Sequence, residues 1–121
     1  MKNLVAKLVE VGKIELFEED IRTLEDDEIL VAIKSSGICG SDMHYFDHGG
    51  LGTFKAPLPM YMGHEPSGII IDPHKSNLQA GERVAIEPGR PCVHSYWSKK
   101  GHQNLCEKGT FMGATAQGSF A

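Results

Sequence analysis

Two short strings, GICGSD at residues 37–42 and GHEPSG at residues 63–68, decide which fold and chemistry to expect of this chain. They place a thiol, an imidazole and a carboxylate, those of Cys39, His64 and Glu65, among glycines. Glycine lets the backbone approach a ligand closely, and these three kinds of side chain bind zinc in proteins. The stretch from 37 to 68 therefore predicts a metal site, for which zinc is the first candidate.

Length and charge limit the classes of protein to which the chain can belong. Its 121 residues fit one domain that buries about two thirds of its unfolded surface. With 16 acidic and 12 basic side chains, a net charge of -4 and no cluster of Lys or Arg, it is not expected to bind nucleic acid. It has neither a secretory h-region nor an apolar run of about 18 residues, so we expect a cytoplasmic protein without a membrane partner.

Short strands separated by turn residues are expected on both sides of the two strings. Alternating or β-branched apolar residues predict strands at residues 4–9, 14–18, 28–36, 68–72 and 82–87. The first two flank Gly12 as the arms of a hairpin would. Irregular segments are predicted at residues 20–27, 50–59 and 88–109, the last with one turn of helix near Cys106. This many short strands favours an all-β barrel.

One short helix is predicted between the two strings. Ser41 and Asp42 suit its N-cap, and the glycines after His48 suit its end. Elsewhere no Gly-x-Gly-x-x-Gly follows a strand, and Gly50-Leu51-Gly52 is too short to be a dinucleotide fingerprint. A nucleotide-binding domain is therefore not expected within this sequence.

Five strings extend the pattern over nearly the whole chain. They are GICGSDMHY at 37–45, HGGLGTF at 48–54, PM at 59–60, GHEPSG at 63–68 and GERVAIEPG at 81–89. In this order they resemble the zinc-dependent medium-chain dehydrogenase family, and its polyol branch of sorbitol and xylitol dehydrogenases most of all. The resemblance implies a mainly β fold, a GroES-like β-barrel with short helices and an irregular lobe. It also implies that residues 1–121 are a truncated catalytic domain, with the Rossmann domain beyond residue 121.

The chemistry implied by the resemblance is oxidation of a small polyol or secondary alcohol to a ketone. A catalytic zinc would act as a Lewis acid and make the hydroxyl proton easier to remove. The hydride would pass to NAD or NADP, which only the missing Rossmann domain could bind. The chain alone is therefore expected to be inactive.

The resemblance also assigns the metal ligands. Cys39 and His64 match the first two ligands, and the third is Glu65 or a residue past the end of the chain, with water in the open fourth position. Asp42 matches the carboxylate that fixes the tautomer of the ligating histidine. Taken singly, Cys39 and His64 are also ordinary core residues, and Asp42 with Ser41 can be helix caps.

Ser41 and His44 match the family's relay of the substrate proton to solvent, a task that suits a histidine with a pKa of about 6.5. The candidates for lining the substrate pocket are Tyr45, Leu51, Phe54 and Phe111. The alternative for Tyr45 and Phe54 is that they fill the core.

The segment at 88–109 departs from the family pattern. Many relatives hold a structural zinc there with four cysteines spaced C-x2-C-x2-C-x7-C, positions that here read Cys92, Ser95, Ser98 and Cys106. Serine hydroxyls are weak zinc ligands, so the usual four-thiolate site is not available. A Cys2His2 site that uses His94 and His102 instead is the remaining metal alternative. Three cysteines without a secretory signal favour free thiols or metal ligands over disulfides.

A second function class stays open at this point. The chain is either part of a dehydrogenase or a non-enzymatic zinc-binding or interaction module that keeps the barrel. In both cases the surface that normally packs against a nucleotide domain would be exposed, which predicts self-association.

Overall fold

The computed structural model describes residues 2–121, and most of the regular structure in this range is β-strand. The strands are β1 (Lys2–Glu10), β2 (Lys13–Asp20), β3 (Leu30–Gly37), β4 (Gly50–Leu51), β5 (Phe54–Lys55), β6 (Met60–Tyr61), β7 (Glu65–Asp72), β8 (Arg83–Ala85), β9 (Gly89–Arg90) and β10 (Thr110–Phe111). The helices are α1 (Gly40–His48), α2 (Tyr96–Lys99) and a 3-10 turn at Gln103–Leu105. No helix within this range is long and apolar enough to cross a membrane.

Two three-stranded antiparallel sheets form the body of the fold. Their strand orders are β2-β1-β6 and β3-β7-β8, while β4 pairs with β5 and β9 pairs with β10. The predicted fold class, mainly β with short helices and an irregular lobe, is confirmed. Within residues 2–121 the strand pairs do not close into a complete barrel. The β9–β10 pair forms the neck of the lobe, which we define as residues 91–109.

The hairpin of β1 and β2 supplies one wall of the core. Its turn places Gly12 at a φ of +76°, a conformation that glycine adopts without strain. Val5 and Leu8 of β1 are fully buried, and Leu8 packs in a cluster with Tyr45, Met60 and Met62. Burying a side chain of this size stabilises the fold by about 1.5–3 kcal/mol.

The last residues of the chain run between the first strand and the segment that leads into β7. The N–H of Ala6 donates to the carbonyl of Phe120 at 2.7 Å, and the N–H of Phe120 donates to the carbonyl of Met62 at 3.1 Å. The N–H of Ser119 donates to the carbonyl of Gly63 at 2.9 Å. These bonds fix the backbone immediately before His64.

Several local expectations differ from the structure, among them the irregular segment at 88–109, which contains β9 and α2. The N-cap of α1 is Cys39 and not Ser41 or Asp42, because Asp42 sits at the third helical position and its carboxylate accepts the Cys39 N–H. Residues 50–59 are not wholly irregular, since β4 and β5 form a small hairpin there. Strand β7 begins at Glu65 rather than at residue 68, because pairing with β3 extends it.

Candidate metal centre

Strand pairing brings together the three side chains of the predicted metal site. Gly37 at the end of β3 pairs with Glu65 at the start of β7, so Cys39, two residues after β3, lies beside His64 and Glu65. One donor atom from each of these three residues lies within 4.8 Å of the other two. Within residues 2–121, this is the one group of three Cys, His, Asp or Glu side chains that meets such a limit.

The Asp42 carboxylate, which is almost fully buried, connects the two segments that carry these donors. Its Oδ2 accepts the backbone N–H of Cys39 at 3.0 Å, and its Oδ1 accepts that of Gly63 at 3.3 Å. The same Oδ1 lies 3.6 Å from Nδ1 of His64. One side chain therefore sets the spacing between Cys39 and His64.

The environment of His64 suits a metal ligand. Its Nδ1 is buried and has no hydrogen-bond partner within 3.5 Å in the described structure, but it faces the carboxylate of Asp42. A histidine that binds a metal through one ring nitrogen commonly directs the N–H of the other toward a carboxylate. A proton on Nδ1 leaves the lone pair of Nε2, which lies 3.4 Å from the Ser41 hydroxyl, available to a cation.

The position of Cys39 at the start of α1 favours its thiolate. Hydrogen bonds from the Ser41 backbone N–H and hydroxyl are the main cause that lowers the pKa of the Cys39 thiol below its usual value. The thiolate is the form of cysteine that binds metals. A thiolate, a neutral imidazole and a carboxylate form a donor set that zinc accepts, so the residues present fit this metal.

Glu65 occupies space that a side chain at residue 37 would need. A Cβ atom on Gly37 would overlap Oε2 of Glu65 and lie 3.1 Å from its Cβ. The sequence suggested that the glycines of GICGSD let the backbone approach a ligand, but Gly37 instead makes room for a donor. The pairing of β3 with β7 determines this role, and the sequence alone carried no signal for it.

The predicted proton relay and pocket residues lie in different surroundings. Ser41 is next to the site, through its contact with His64. His44 is exposed on α1, with its ring centroid 5.9 Å from that of His48. The Phe111 ring centroid lies 5.4 Å from that of His64, so this residue is the pocket candidate that the structure brings to the site.

The other three pocket candidates lie elsewhere. Tyr45 is buried, and its ring packs edge-on against Phe54 with centroids 5.9 Å apart. Desolvation, with smaller contributions from Asp42 and Cys39, raises the pKa of the Tyr45 hydroxyl. This packing favours the core interpretation of Tyr45 and Phe54 over the pocket one. Leu51 is exposed on β4.

An apolar cavity of about 200 Å³ adjoins the first turn of α1. Ile38, Met43 and Phe120 contribute to its wall, and Asp42 lies at its edge. The sequence did not single out Phe120, because it lies near the cavity only through the hydrogen bonds of the last residues to Ala6 and Met62.

The alternative metal site in the lobe is not assembled. Cys92 and Cys106 are close to each other, but His102 packs against Trp97, with ring centroids 6.2 Å apart. No second cluster of three potential ligands is found in residues 2–121. The Cys2His2 hypothesis for Cys92, His94, His102 and Cys106 therefore has no support from the structure.

Comparison with known proteins agrees with the geometry. The family model for the alcohol dehydrogenase GroES-like domain matches residues 25–121. D-xylulose reductase A from Aspergillus oryzae is 41% identical over 113 residues, which cover 91% of this chain and 32% of that protein. Sorbitol dehydrogenase 1 from Saccharomyces cerevisiae is 41% identical over 107 residues, which cover 86% of this chain and 30% of that protein.

A solved structure shares the fold over nearly the whole chain. The crystal structure of L-idonate 5-dehydrogenase from Escherichia coli matches with a TM-score of 0.90 and 32% identity, covering 99% of this chain and 36% of that one. The chain thus spans about a third of the length of these relatives.

Proposed function

The chain belongs to the family of alcohol dehydrogenase GroES-like domains, and from this premise we propose that it is the catalytic-domain portion of a zinc-dependent, NAD(P)-linked oxidoreductase. Its reaction would convert a small polyol or secondary alcohol to a ketone. The convergence of Cys39, His64 and Glu65 is the observation that carries the proposal. The names of the relatives, a D-xylulose reductase and a sorbitol dehydrogenase, support the polyol class.

Each residue of the site has a proposed role. Cys39 and His64 hold the zinc, and Glu65 or a residue outside this chain is the third ligand. Zinc bound there would supply Lewis acidity, which lowers the pKa of a substrate hydroxyl. Asp42 keeps the His64 proton on Nδ1 and holds the ring in position.

Removal of the substrate proton is assigned to Ser41 and His44. The Ser41 hydroxyl, beside Nε2 of His64, would accept the proton, and the exposed imidazole of His44 would pass it to solvent. Phe111 would shield the site from water on the side of the His64 ring. A role of Tyr45, Leu51 and Phe54 in lining the substrate pocket stays a prediction, and the packing of Tyr45 against Phe54 favours a core role for those two.

Hydride transfer requires a nicotinamide that this chain is not expected to bind. No Gly-x-Gly-x-x-Gly motif follows a strand in the sequence, and the relatives are about three times as long as this chain. We therefore propose that residues 1–121 work together with a Rossmann domain and that the assembled enzyme is cytoplasmic. When the isolated chain is mixed with NAD and sorbitol or xylitol, we expect no increase in NADH absorbance. Steady NADH production would contradict the proposal that the cofactor binds to a separate domain.

Metal content tests the site assignment directly. With Glu65 as the third ligand, the purified wild-type chain should carry about one zinc ion, and the Cys39→Ser and His64→Ala variants should carry almost none, because two of three ligands cannot close a stable site. Cys92→Ser is the matched control, since it removes a thiol outside the site and should leave the zinc content unchanged. Equal zinc in all four proteins would remove the assignment of Cys39 and His64.

A further inference from the structure

Two of the three cysteines lie together in the lobe, apart from the candidate metal centre. The backbone N–H of Cys92 donates to Sγ of Cys106 at 3.2 Å, and the Cys106 thiol donates to the Cys92 carbonyl at 3.7 Å. The two residues are 14 positions apart in sequence, so the fold of the lobe creates the contact. Both residues are partly accessible to solvent.

This contact brings the Cys106 sulfur close to the backbone that carries the Cys92 side chain. An N–Cα bond is about 1.46 Å long, so Cα of Cys92 lies within about 4.7 Å of the Cys106 sulfur. Rotation about χ1 of Cys92 moves its sulfur without moving the backbone, so the Cys92 sulfur can turn toward the Cys106 sulfur.

Serines occupy the two positions at which the resemblance placed further cysteines. The Ser95 and Ser98 hydroxyls are 2.9 Å apart, and Ser95, which caps α2, is buried. A hydrogen bond from Ser95 is the largest influence that lowers the pKa of the Cys106 thiol, to about 6, with help from the backbone at Cys92 and Lys108. These donors stabilise a thiolate in the place where a metal ion would do so in a four-cysteine site.

We propose that Cys92 and Cys106 are a redox modification site, a dithiol that reacts with low-molecular-weight disulfides and closes into an intramolecular disulfide. The Cys106 thiolate attacks one sulfur of the small disulfide, which forms a mixed disulfide and releases one small thiolate. Cys92 then loses its proton and attacks the Cys106 sulfur, which releases the second thiolate. The small disulfide gains two electrons, and the two cysteines lose them.

Oxidised glutathione is the probe that tests this site. The reduced wild-type chain is incubated with it, the remaining thiols are alkylated, and the digested protein is mapped by mass spectrometry. We expect a Cys92–Cys106 cross-linked peptide within single chains, whatever the state of Cys39. The reduced Cys39→Ser variant has two free thiols, those of Cys92 and Cys106. After incubation it should have none, and no glutathione should remain attached to the protein. A chain unfolded in guanidinium is the control for pairing that does not depend on the fold.

Two variants, each of which lacks one cysteine of the pair, separate the two steps. Cys92→Ser should keep one glutathione on Cys106, because the second thiol is missing. In Cys106→Ser, Cys92 should react about threefold or more slowly, because the hydrogen bonds from Ser95 and Ser98 that stabilise a thiolate are made to Cys106. A stable glutathione adduct on wild-type Cys106, a Cys39 cross-link in its place, a cross-link between chains, or equal rates for the two variants would overturn the proposal.

Discussion

At the scale of single residues, the Asp42 carboxylate connects the two segments that carry Cys39 and His64. It accepts hydrogen bonds from the backbone at Cys39 and Gly63 and faces Nδ1 of His64. In Asp42→Asn, an NH2 group replaces one carboxylate oxygen. Because this group cannot accept a hydrogen bond from the backbone, one of the two N–H groups loses its partner. Leaving a buried donor unpaired costs about 1–3 kcal/mol, and loss of such a carboxylate weakens metal binding by about 10–100-fold.

Denaturant unfolding and zinc titration measure these two effects of Asp42→Asn. Asp47→Asn is the matched control, because Asp47 lies on the same helix but is exposed. It should change neither the free energy of unfolding by more than about 0.5 kcal/mol nor the zinc affinity. If the two variants had the same free energy of unfolding and the same zinc affinity, Asp42 would not hold Cys39 and His64 in position.

Gly37 gives a second prediction at this scale. In Gly37→Ala the new Cβ would overlap the Glu65 carboxylate and force it away from Cys39 and His64. Because the exposed Glu65 carboxylate can move aside, we expect the fold to lose less than the roughly 1–3 kcal/mol typical of an overpacked core, and, if Glu65 is the third ligand, zinc affinity to fall about tenfold or more. Gly40→Ala is the control, since nothing lies within 4 Å of a Cβ at that position. Unchanged zinc binding in Gly37→Ala would assign the third ligand to a residue other than Glu65.

Three candidate ligands that the structure brings together could be named from the sequence, but the positions of their neighbours could not. The two glycine-flanked strings indicated Cys39, His64 and Glu65 because the residue types themselves carry the chemistry. Tyr45 and Phe54 are aromatic whether they line a pocket or fill a core, and only the packing of α1 against the β4–β5 hairpin distinguishes the two. The roles of Gly37 and Phe120 depend on contacts with residues far away in the sequence.

At the scale of elements, an ion pair between Arg22 and Glu28 holds together the loop that joins β2 to β3. Both Arg22 nitrogens donate to Glu28, at 2.7 and 2.6 Å, and the Glu25 N–H donates to the same carboxylate at 2.9 Å. The Arg22 hydrogen bonds are the main cause that lowers the pKa of Glu28 from 4.5 to about 2. A carboxylate whose pKa falls on folding stabilises the fold above its unfolded pKa and loses that contribution as the pH drops toward its folded pKa.

Substitution of Glu28 should therefore have a pH-dependent effect. At pH 6, Glu28→Gln is expected to lower the free energy of unfolding by about 1 kcal/mol, a modest value because Arg22 is exposed. The difference from wild type should shrink as the pH is lowered from 4.5 to 2. Urea unfolding at several pH values measures it, with exposed Glu18→Gln as control. A difference that stays constant over this range would show that the ion pair is not its cause.

Strands and turns that a local sequence pattern specifies could be predicted, but the strands with which they pair were harder to predict. Gly12 and the alternating residues around it specify the hairpin of β1 and β2, and the β-branched run specifies β3. The extension of β7 back to Glu65 and the two-strand neck of the lobe come from pairing between distant segments. Such pairing depends on the register of both strands, and no single stretch of sequence encodes it.

At the scale of the whole molecule, one face of the β1–β2 hairpin leaves apolar side chains in solvent. The register places Leu4, Leu16 and Ile14 on this face, and they are 59%, 66% and 45% exposed. Neighbouring exposed apolar side chains of this size favour association. We expect the mass measured by light scattering to rise with concentration for wild type and to rise less for Leu16→Lys.

Leu78→Lys is the control for this association, because Leu78 is similarly exposed but lies in the turn between β7 and β8. It should associate like wild type. A monomer at every concentration for all three proteins would contradict the expectation of self-association.

The hydrogen bonds of Ser119 and Phe120 to Gly63, Met62 and Ala6 have a consequence for the order of events during synthesis. A ribosome releases the N-terminal part of a protein first, so Cys39 and His64 leave the exit tunnel well before the residues that fix the backbone beside them. The segment ahead of His64 gains its last partners only when position 120 has emerged. The nascent chain therefore carries both candidate ligands before it has a rigid site, and tight capture of an ion should become possible only after position 120 has left the exit tunnel.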